Sequence, residues 1–338
     1  MSQASSNQNW FVSIASQRSA QVATAAWAVA LVIAFALTGA TVPFDRPLLA
    51  GMPKVQEILT IVGTVLVLPF IYMAVTYFLT RRRTLSEMAG WAPDNAVARK
   101  EVLWLLAYGA AVLIAGNILG QVLWGEAIGL HLHGAIYGST RAVTQGEVFT
   151  WALYNFLYYA IIPYAVFRKR GYSNEALGFR SSNLKNDILV IVVILGLGLA
   201  IDLPVSSLFT HSSGQLASGI LLTAVINLLG TGFPVMVFLY AILLPRYLKL
   251  SGSLTTTTIY GGLTYAALHI FESWTIYDSA SNGVLSVVFV FMQFFGPGMI
   301  KSYLTLRTGS AWVHLWGYHA IEPHVTFDTT HLIRIFKL

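Results

Sequence analysis

The amino-acid sequence predicts an all-α protein, a polytopic membrane helix bundle of about eight transmembrane helices plus a short C-terminal half-span. Two observations lead to this prediction. Of the 338 residues, 56% are hydrophobic and only 10% are charged, which is not the composition of a water-soluble domain. Apolar runs of about 20 residues, long enough to cross a bilayer as a helix, recur along the chain. We therefore expect a single integral membrane domain over residues 1–338.

The predicted spans are joined by short polar connections. We interpret the first apolar run as a retained helix rather than a signal peptide, because its apolar core is longer than a signal peptide needs. A shorter apolar segment, Gly309–Glu322, is the predicted half-span. The full spans are Val22–Val42, Ile58–Thr80, Val102–Trp124, Val148–Phe167, Ile188–Phe209, Gly219–Pro245, Leu254–Trp274 and Val284–Leu306.

Basic residues are concentrated in alternate connections or at the span ends beside them. They are Arg81, Arg82, Arg83, Arg99, Lys100, Arg168, Lys169, Arg170, Arg180, Lys185, Arg246, Lys249, Lys301 and Arg307. The positive-inside rule then places Arg81–Glu101, Arg168–Asp187 and the N-terminus in the cytoplasm, with Gly125–Glu147 outside. These clusters explain most of the net charge of +6. They form no continuous stripe, so we expect membrane lipid as a partner and no nucleic acid.

Two glycine- and proline-containing segments fall inside predicted spans. Gly230–Pro234 lies within the sixth span, and Gly296-Pro297-Gly298 lies within the eighth. Non-helical backbone at membrane depth is tolerated only where protein or a water-filled cavity satisfies it. We therefore expect two broken helices beside a cavity, with a simple kink at each position as the alternative.

Two His-x-x-Glu pairs supply the candidate functional residues. His269 precedes Glu272 by three positions and His319 precedes Glu322 in the same way, so on a helix each pair shares one face. Pro323 disfavours helical geometry at the residue before it, so the second helix should end there. Counted at about 1.5 Å per residue from the span ends, both histidines lie at or beyond mid-membrane. We therefore expect their side chains to approach each other.

These groups have the chemistry of either a catalytic or a metal site. Imidazole nitrogens and carboxylate oxygens are the ligands that Zn²⁺ and Fe²⁺ take in proteins. The candidate catalytic residues are His269, His319, Glu272 and Glu322, and the candidate ligands of a divalent metal are the same four with His324. Alternatively, these histidines only hydrogen-bond neighbouring groups near the membrane ends. The absence of cysteine excludes thiolate chemistry.

A further pair of histidines, His131 and His133, falls in the predicted outer loop. Although an alternating His-Leu-His segment can chelate a metal, we interpret it as part of a solvated loop.

Residues 165–324 resemble the CPBP family, the membrane proteases that process CAAX proteins and act in bacteriocin self-immunity. Arg168–Arg180 is similar to the basic Leu-Gly segment before the core of that family, and Tyr265–His269 resembles its Phe-x-x-x-His motif. Leu306–Trp312 followed by His319 resembles the last motif. The resemblance implies a helical membrane protein of the bacterial plasma membrane with a peptidase site.

The chain departs from that family at the residues that matter for proteolysis. The first family motif is Glu-Glu-x-x-x-Arg, and Met236, Val237 and Ala241 occupy those positions here. Pro323 stands where the last motif has asparagine. In the family the glutamate is thought to activate water, and neither Met236 nor Val237 can accept a proton.

Three functional hypotheses follow from these residues. The chain is a non-proteolytic CPBP-like protein that binds a membrane protein, a peptide or a lipid through the His/Glu site. Alternatively, it is an intramembrane endopeptidase or metal-dependent hydrolase that uses the His-x-x-Glu pairs. In the third hypothesis it is a transporter whose pathway follows the two broken helices.

Overall fold

The computed structural model describes residues 14–38, 56, 67–83, 88–132 and 142–338. Within these ranges every regular element is a helix, which confirms the all-α class. Parts of the first two predicted spans lie outside the described residues, as does His133.

The described helices are numbered α1 to α11 in chain order. Two of them, α5 and α7, combine α-helical and π-helical turns, and α10 begins as an α-helix and continues as a π-helix. Their bounds are α1 Arg18–Thr38, α2 Leu68–Thr80, α3 Met88–Trp91, α4 Asn95–Trp124, α5 145–169, α6 Leu184–Asp202, α7 Ser213–Ser251, α8 Leu254–Ala267, α9 Ala280–Thr308, α10 311–319 and α11 His324–Phe336.

Among the described residues, five helices are long and apolar enough to cross a membrane, namely α1, α4, α6, α7 and α9. The chain is therefore a helical integral membrane protein, but the predicted count of eight spans is not confirmed. One reason is that α8 ends at Ala267, seven residues before the predicted end of that span at Trp274. Another is that the described part of α2 covers only 13 residues.

Helix α9 forms the centre of the bundle and packs against α1, α2, α8 and α10. In its apolar window 67% of the residues are buried, compared with 22% for α4 and 6% for α1. Helix α4 instead exposes a row of large apolar side chains, with Leu103, Ile118 and Val122 each more than 60% exposed. An apolar surface of this kind suits contact with lipid tails rather than water.

The predicted helix breaks are wrong, because α7 and α9 both run continuously through their glycine and proline residues. In α7 the segment is absorbed by a π-helical stretch, Leu228–Gly232, and Pro234 then lies in the first turn of the next α-helical stretch. A proline inside a membrane helix leaves a carbonyl of the preceding turn without its usual donor, and a local π-helical adjustment can satisfy that group again. A side chain at Gly230 would collide with the Trp151 ring, so this glycine permits close packing.

Gly298 of α9 also permits close packing. A Cβ on Gly298 would lie 2.7 Å from the Cβ of Tyr265 and 2.9 Å from the Cα of Gly262, both on α8. Such distances are too short for a real side chain, so only glycine allows α8 and α9 to approach so closely. This contact fixes the position of Tyr265 and of His269 one turn further on.

The basic clusters meet at one end of the bundle, which we call the basic end. The side chain of Arg246 donates to Glu101 at 2.7 Å, and Arg170 donates to the same carboxylate at 2.9 Å. Arg83 pairs with Asp187 at 2.5 Å. Lys301 does not join this end, because it is buried beside the ring of Tyr265.

Helix α11 closes the opposite side of the bundle. It packs along the first half of α7 and buries Leu332 and Ile333. The preceding helix, α10, ends at His319, three residues before the predicted end at Glu322, and a turn that contains Pro323 follows.

Candidate metal centre

The site begins with an irregular segment that returns into the bundle after α4. Residues 125–132 fold back along α4, so the N–H of Ile128 donates to the carbonyl of Gly116 at 3.2 Å. That carbonyl lies eight residues before the end of α4, and 1.5 Å per residue then puts the segment about 12 Å below the helix end. Residues 128–132 are all buried. We call residues 125–132 the re-entrant segment.

The polar backbone of the re-entrant segment is satisfied from the next helix. The carbonyl of Gly129 accepts hydrogen bonds from Trp151 Nε1 at 3.1 Å and from Asn155 Nδ2 at 3.0 Å, both on α5. A Cβ on Gly129 would lie 2.7 Å from the carbonyl oxygen of Phe271, so a larger residue does not fit. Irregular backbone at this depth meets the requirement that protein groups replace water.

The re-entrant segment carries His131 into the core, and this corrects the prediction of a solvated loop. His131 is 3% exposed, and its Nδ1 lies 3.2 Å from Oε1 of Glu272. Its ring centroid is 4.6 Å from that of His269 and 5.2 Å from that of His324. The side chain therefore contacts groups that follow it by more than 130 positions in the chain.

His269 lies in a turn just past the end of α8 rather than on the predicted helix face. Its Nδ1 bonds to the carbonyl of Tyr265 at 2.6 Å, and its backbone N–H turns to Ala266 at 3.0 Å. A carbonyl can only accept, so Nδ1 carries the proton and Nε2 keeps its lone pair. By taking the carbonyl that a continuing helix would use, the side chain helps to end α8. Glu272 follows in the same turn, with its N–H donating to His269 at 3.1 Å.

Three groups of this cluster are arranged to hold a metal ion. One ligand atom from each of His131, His269 and Glu272 lies within 4.8 Å of the others, and all three residues are buried. His269 Nε2 has no hydrogen-bond partner among the described residues. The Tyr265 carbonyl that holds Nδ1 is the kind of outer partner that orients metal-binding histidines. Two nitrogens and one oxygen form a ligand set typical of zinc-class ions.

A second histidine with an acidic partner stands beside this group. His324 Nδ1 lies 2.9 Å from Oδ2 of Asp328, one turn along α11, and both side chains are buried. The carboxylate holds the ring with Nε2 as the nitrogen able to accept a proton. Phe294 stacks on His269 at 3.8 Å between centroids and covers the cluster from α9.

His319 and His314 extend the cluster toward the basic end. The His319 ring lies 5.4 Å from His324 and 6.2 Å from both His314 and Tyr265. Neither ring nitrogen of His319 has a hydrogen-bond partner within the described parts of the chain. His314 bonds through Nδ1 to Thr305 at 3.1 Å, and its Nε2 has no partner there.

A buried lysine accompanies the histidines. Lys301 is 3% exposed, and its Nζ donates to the hydroxyl of Tyr265 and lies 3.8 Å from that ring. The ring of Tyr318 also lies 5.8 Å from Nζ. Contact with two aromatic faces favours the charged ammonium in a site without water.

Glu322 does not join the metal group, which corrects the predicted set of ligands. Its carboxyl group contacts that of Asp202 at the end of α6. The Glu322 side chain also packs over Gly198, so closely that a Cβ there would lie 2.8 Å from its Cγ. The turn that contains Pro323 directs Glu322 toward α6 and leaves His324 facing the cluster.

The structure therefore divides the predicted residues. His269 and Glu272 lie with His131 in the candidate metal group, His319 and His324 lie beside it, and Glu322 lies elsewhere. The sequence analysis did not select His131 as a candidate ligand. It also did not select Asp328 and Lys301 as residues of the site. One signal was present, since the stretch around Leu130 and Leu132 is more apolar than a solvated outer loop requires.

Comparison with protein-family models, with characterised proteins and with solved structures finds no match to this chain.

Proposed function

We propose that this chain is a metal-dependent hydrolase of the membrane, in which His131, His269 and Glu272 hold a divalent ion of the zinc class. The observation that supports this most strongly is the convergence of three buried ligand atoms within 4.8 Å. Three protein ligands with a further position open are typical of catalytic rather than structural zinc sites. The substrate would be a membrane-anchored peptide or a lipid, because the cluster is enclosed by apolar helices.

The surrounding residues fit the steps of hydrolysis. A zinc-class ion polarises a carbonyl group and activates water at neutral pH. His324, held by Asp328, is placed to take the proton of the attacking water. The ammonium form of Lys301 would stabilise negative charge that develops on the substrate oxygen beside the cluster.

This proposal is compatible with the CPBP-like resemblance of residues 165–324, but it does not use the glutamate chemistry of that family. Met236 and Val237 are 3% and 6% exposed in a π-helical stretch of α7 and offer no proton acceptor. The metal group would supply the activated water that the glutamates supply in the family. The transporter hypothesis relied on two broken helices, and both helices are continuous in the described chain.

Metal content is the first test. Protein purified in detergent without chelators is analysed by mass spectrometry for zinc, iron, manganese and cobalt. We expect about one ion per chain, with loss of the ion in H131Q, H269Q and E272Q. The control is H211Q, which removes a histidine from the connection before α7, away from the cluster. Wild-type protein without metal would refute the proposal.

Hydrolysis is the second test. Wild type and E272Q are placed in liposomes with a panel of membrane-anchored peptides and lipid esters. We expect cleavage by the wild type that a chelator abolishes and added zinc restores. A protein that keeps its metal but cleaves no member of the panel would favour the non-proteolytic hypothesis, in which the site binds a membrane protein, a peptide or a lipid.

A further inference from the structure

A separate group of oxygen atoms lies at the far end of α6. Asp202 is the last residue of α6, Glu322 lies in the turn between α10 and α11, and Tyr72 comes from α2. The carboxyl groups of Asp202 and Glu322 contact each other, and both interact with the phenol of Tyr72. Gly198, one turn before Asp202, leaves the space that Glu322 fills.

Each of the three residues leaves a buried oxygen without a partner. Asp202 Oδ2, Glu322 Oε2 and Tyr72 Oη have no hydrogen-bond partner among the described residues. The residues are only 9%, 6% and 1% exposed, respectively. Burying oxygens of this kind without compensation is costly, and far more so for a charged carboxylate. Three such atoms from three helical elements indicate a ligand that oxygen atoms surround.

The charges of the surrounding groups define the ligand. Asp202 and Glu322 together carry two negative charges when ionised, and Thr326 adds only a neutral hydroxyl next to Asp202. Lys301 is the cation that interacts with Glu322. Tyr318 lies between the two groups, with its ring 5.8 Å from Lys301 Nζ and 5.4 Å from the ring of Tyr72. With both carboxylates and Lys301 ionised, one further positive charge makes the group neutral.

We propose that Asp202, Glu322 and Tyr72 form a binding site for a sodium ion. Carboxylate and hydroxyl oxygens are ligands of hard cations, whereas imidazole-containing sites suit zinc-class ions. A single charge matches a monovalent ion, and the tight packing of Glu322 on Gly198 favours a small one. A proton shared by the two carboxyl groups would satisfy their mutual contact but would provide no partner for the Tyr72 hydroxyl oxygen. The site is distinct from the metal centre and does not depend on hydrolysis.

The experiment measures binding of ²²Na⁺ to the purified full-length protein, together with thermal unfolding in sodium, potassium and choline chloride. We expect saturable binding and a melting temperature that sodium raises more than potassium or choline. D202N and E322Q should each weaken the apparent affinity by at least about tenfold. Y72F keeps the ring and removes only the hydroxyl, so it should weaken binding less. D278N removes an exposed carboxylate elsewhere and is the matched control.

Several outcomes would overturn this proposal. Binding that is absent in the wild type, or unchanged in both D202N and E322Q, excludes a sodium site at these residues. A melting temperature that depends on pH but not on sodium would show that the carboxyl pair holds a proton instead. Zinc content measured on the same samples separates the two proposals, because D202N and Y72F should keep their zinc. If D202N fails to fold, the comparison of Y72F with wild type decides the result.

Discussion

The basic end and the candidate metal centre both bury polar side chains in a membrane protein. They differ in how many of these side chains have hydrogen-bond partners. At the basic end the buried carboxylates of Glu101 and Asp187 each pair with arginine. Glu101 accepts from Arg246, Arg170 and Tyr172, and the Arg246 guanidinium lies over the Phe167 ring at 4.5 Å. In the metal centre several ring nitrogens have no partner among the described residues.

This difference distinguishes polar groups that stabilise the fold from polar groups that are available to a ligand. A buried charge with an oppositely charged partner holds helices in register, here α4, α5 and α7. Buried nitrogens that lack partners weaken the fold unless a ligand binds them. The basic end should therefore determine stability, and the metal centre should determine activity.

The largest effect on stability is expected at Arg246. R246M leaves the Glu101 carboxylate buried with only the partly exposed Arg170 and Tyr172 as partners. Breaking one side of a buried ion pair typically costs about 3–5 kcal/mol, so the free energy of unfolding should fall by this amount. Chemical or thermal unfolding in detergent measures it. The double variant E101M/R246M should regain part of the loss, since no unpaired charge remains.

The next effect concerns activity and depends on the proposed hydrolysis. D328N keeps the shape of the side chain but no longer holds His324 through a charge. Because general-base catalysis contributes about 10²–10⁴-fold, the cleavage rate should fall by roughly 100-fold or more. Zinc content should not change. A variant that loses its zinc together with its activity would show that Asp328 supports the metal group instead.

Close packing of α8 on α9 predicts an intermediate effect. G298A places a methyl group 2.7 Å from the Cβ of Tyr265, and overpacking of this kind costs about 1–3 kcal/mol. G196A is the matched control, because no atom lies within 4 Å of a Cβ at Gly196 in α6. It should be neutral or slightly stabilising. Equal melting temperatures for the two variants would show that the helix contact is looser than described.

The smallest change in stability, with the opposite sign, is expected at His319. H319L removes two buried nitrogens that lack partners among the described residues, so stability should stay the same or rise by about 1 kcal/mol. H314L is the comparison, because His314 donates to or accepts from Thr305 and its removal should lower stability. A fall for H319L as large as that for R246M would show that His319 is held as firmly as the basic end.

The sequence predicts much of the fold through signals that each segment carries by itself. Long apolar runs predict helices wherever they occur, and basic residues mark the connections that meet at the basic end. The prediction for the glycine segments was wrong because a glycine in a helix can mark either a break or a close contact with a neighbour. Only the position of its neighbour, such as the Trp151 ring against Gly230, decides between a break and a close contact.

The site was harder to predict than the fold. His269 and Glu272 could be identified because they lie three positions apart within one apolar segment. His131 could not, because its partners are far along the chain and the irregular re-entrant segment has no periodic pattern. For Glu322 the sequence spacing predicted a contact that the structure does not have. Its spacing from His319 suggested a shared face, but the turn that contains Pro323 directs it to Asp202.

The re-entrant segment also has a consequence for biosynthesis. When α5 emerges from the ribosome, Trp151 and Asn155 can already satisfy the carbonyl of Gly129. The partners of the His131 ring, however, are His269, Glu272 and His324, and the last of these is made almost 200 residues later. The nascent protein must therefore keep an incomplete polar pocket within the bilayer while six further helices are added. A chain that stops before α11 would contain all three proposed metal ligands but would lack His324 and Asp328 beside them.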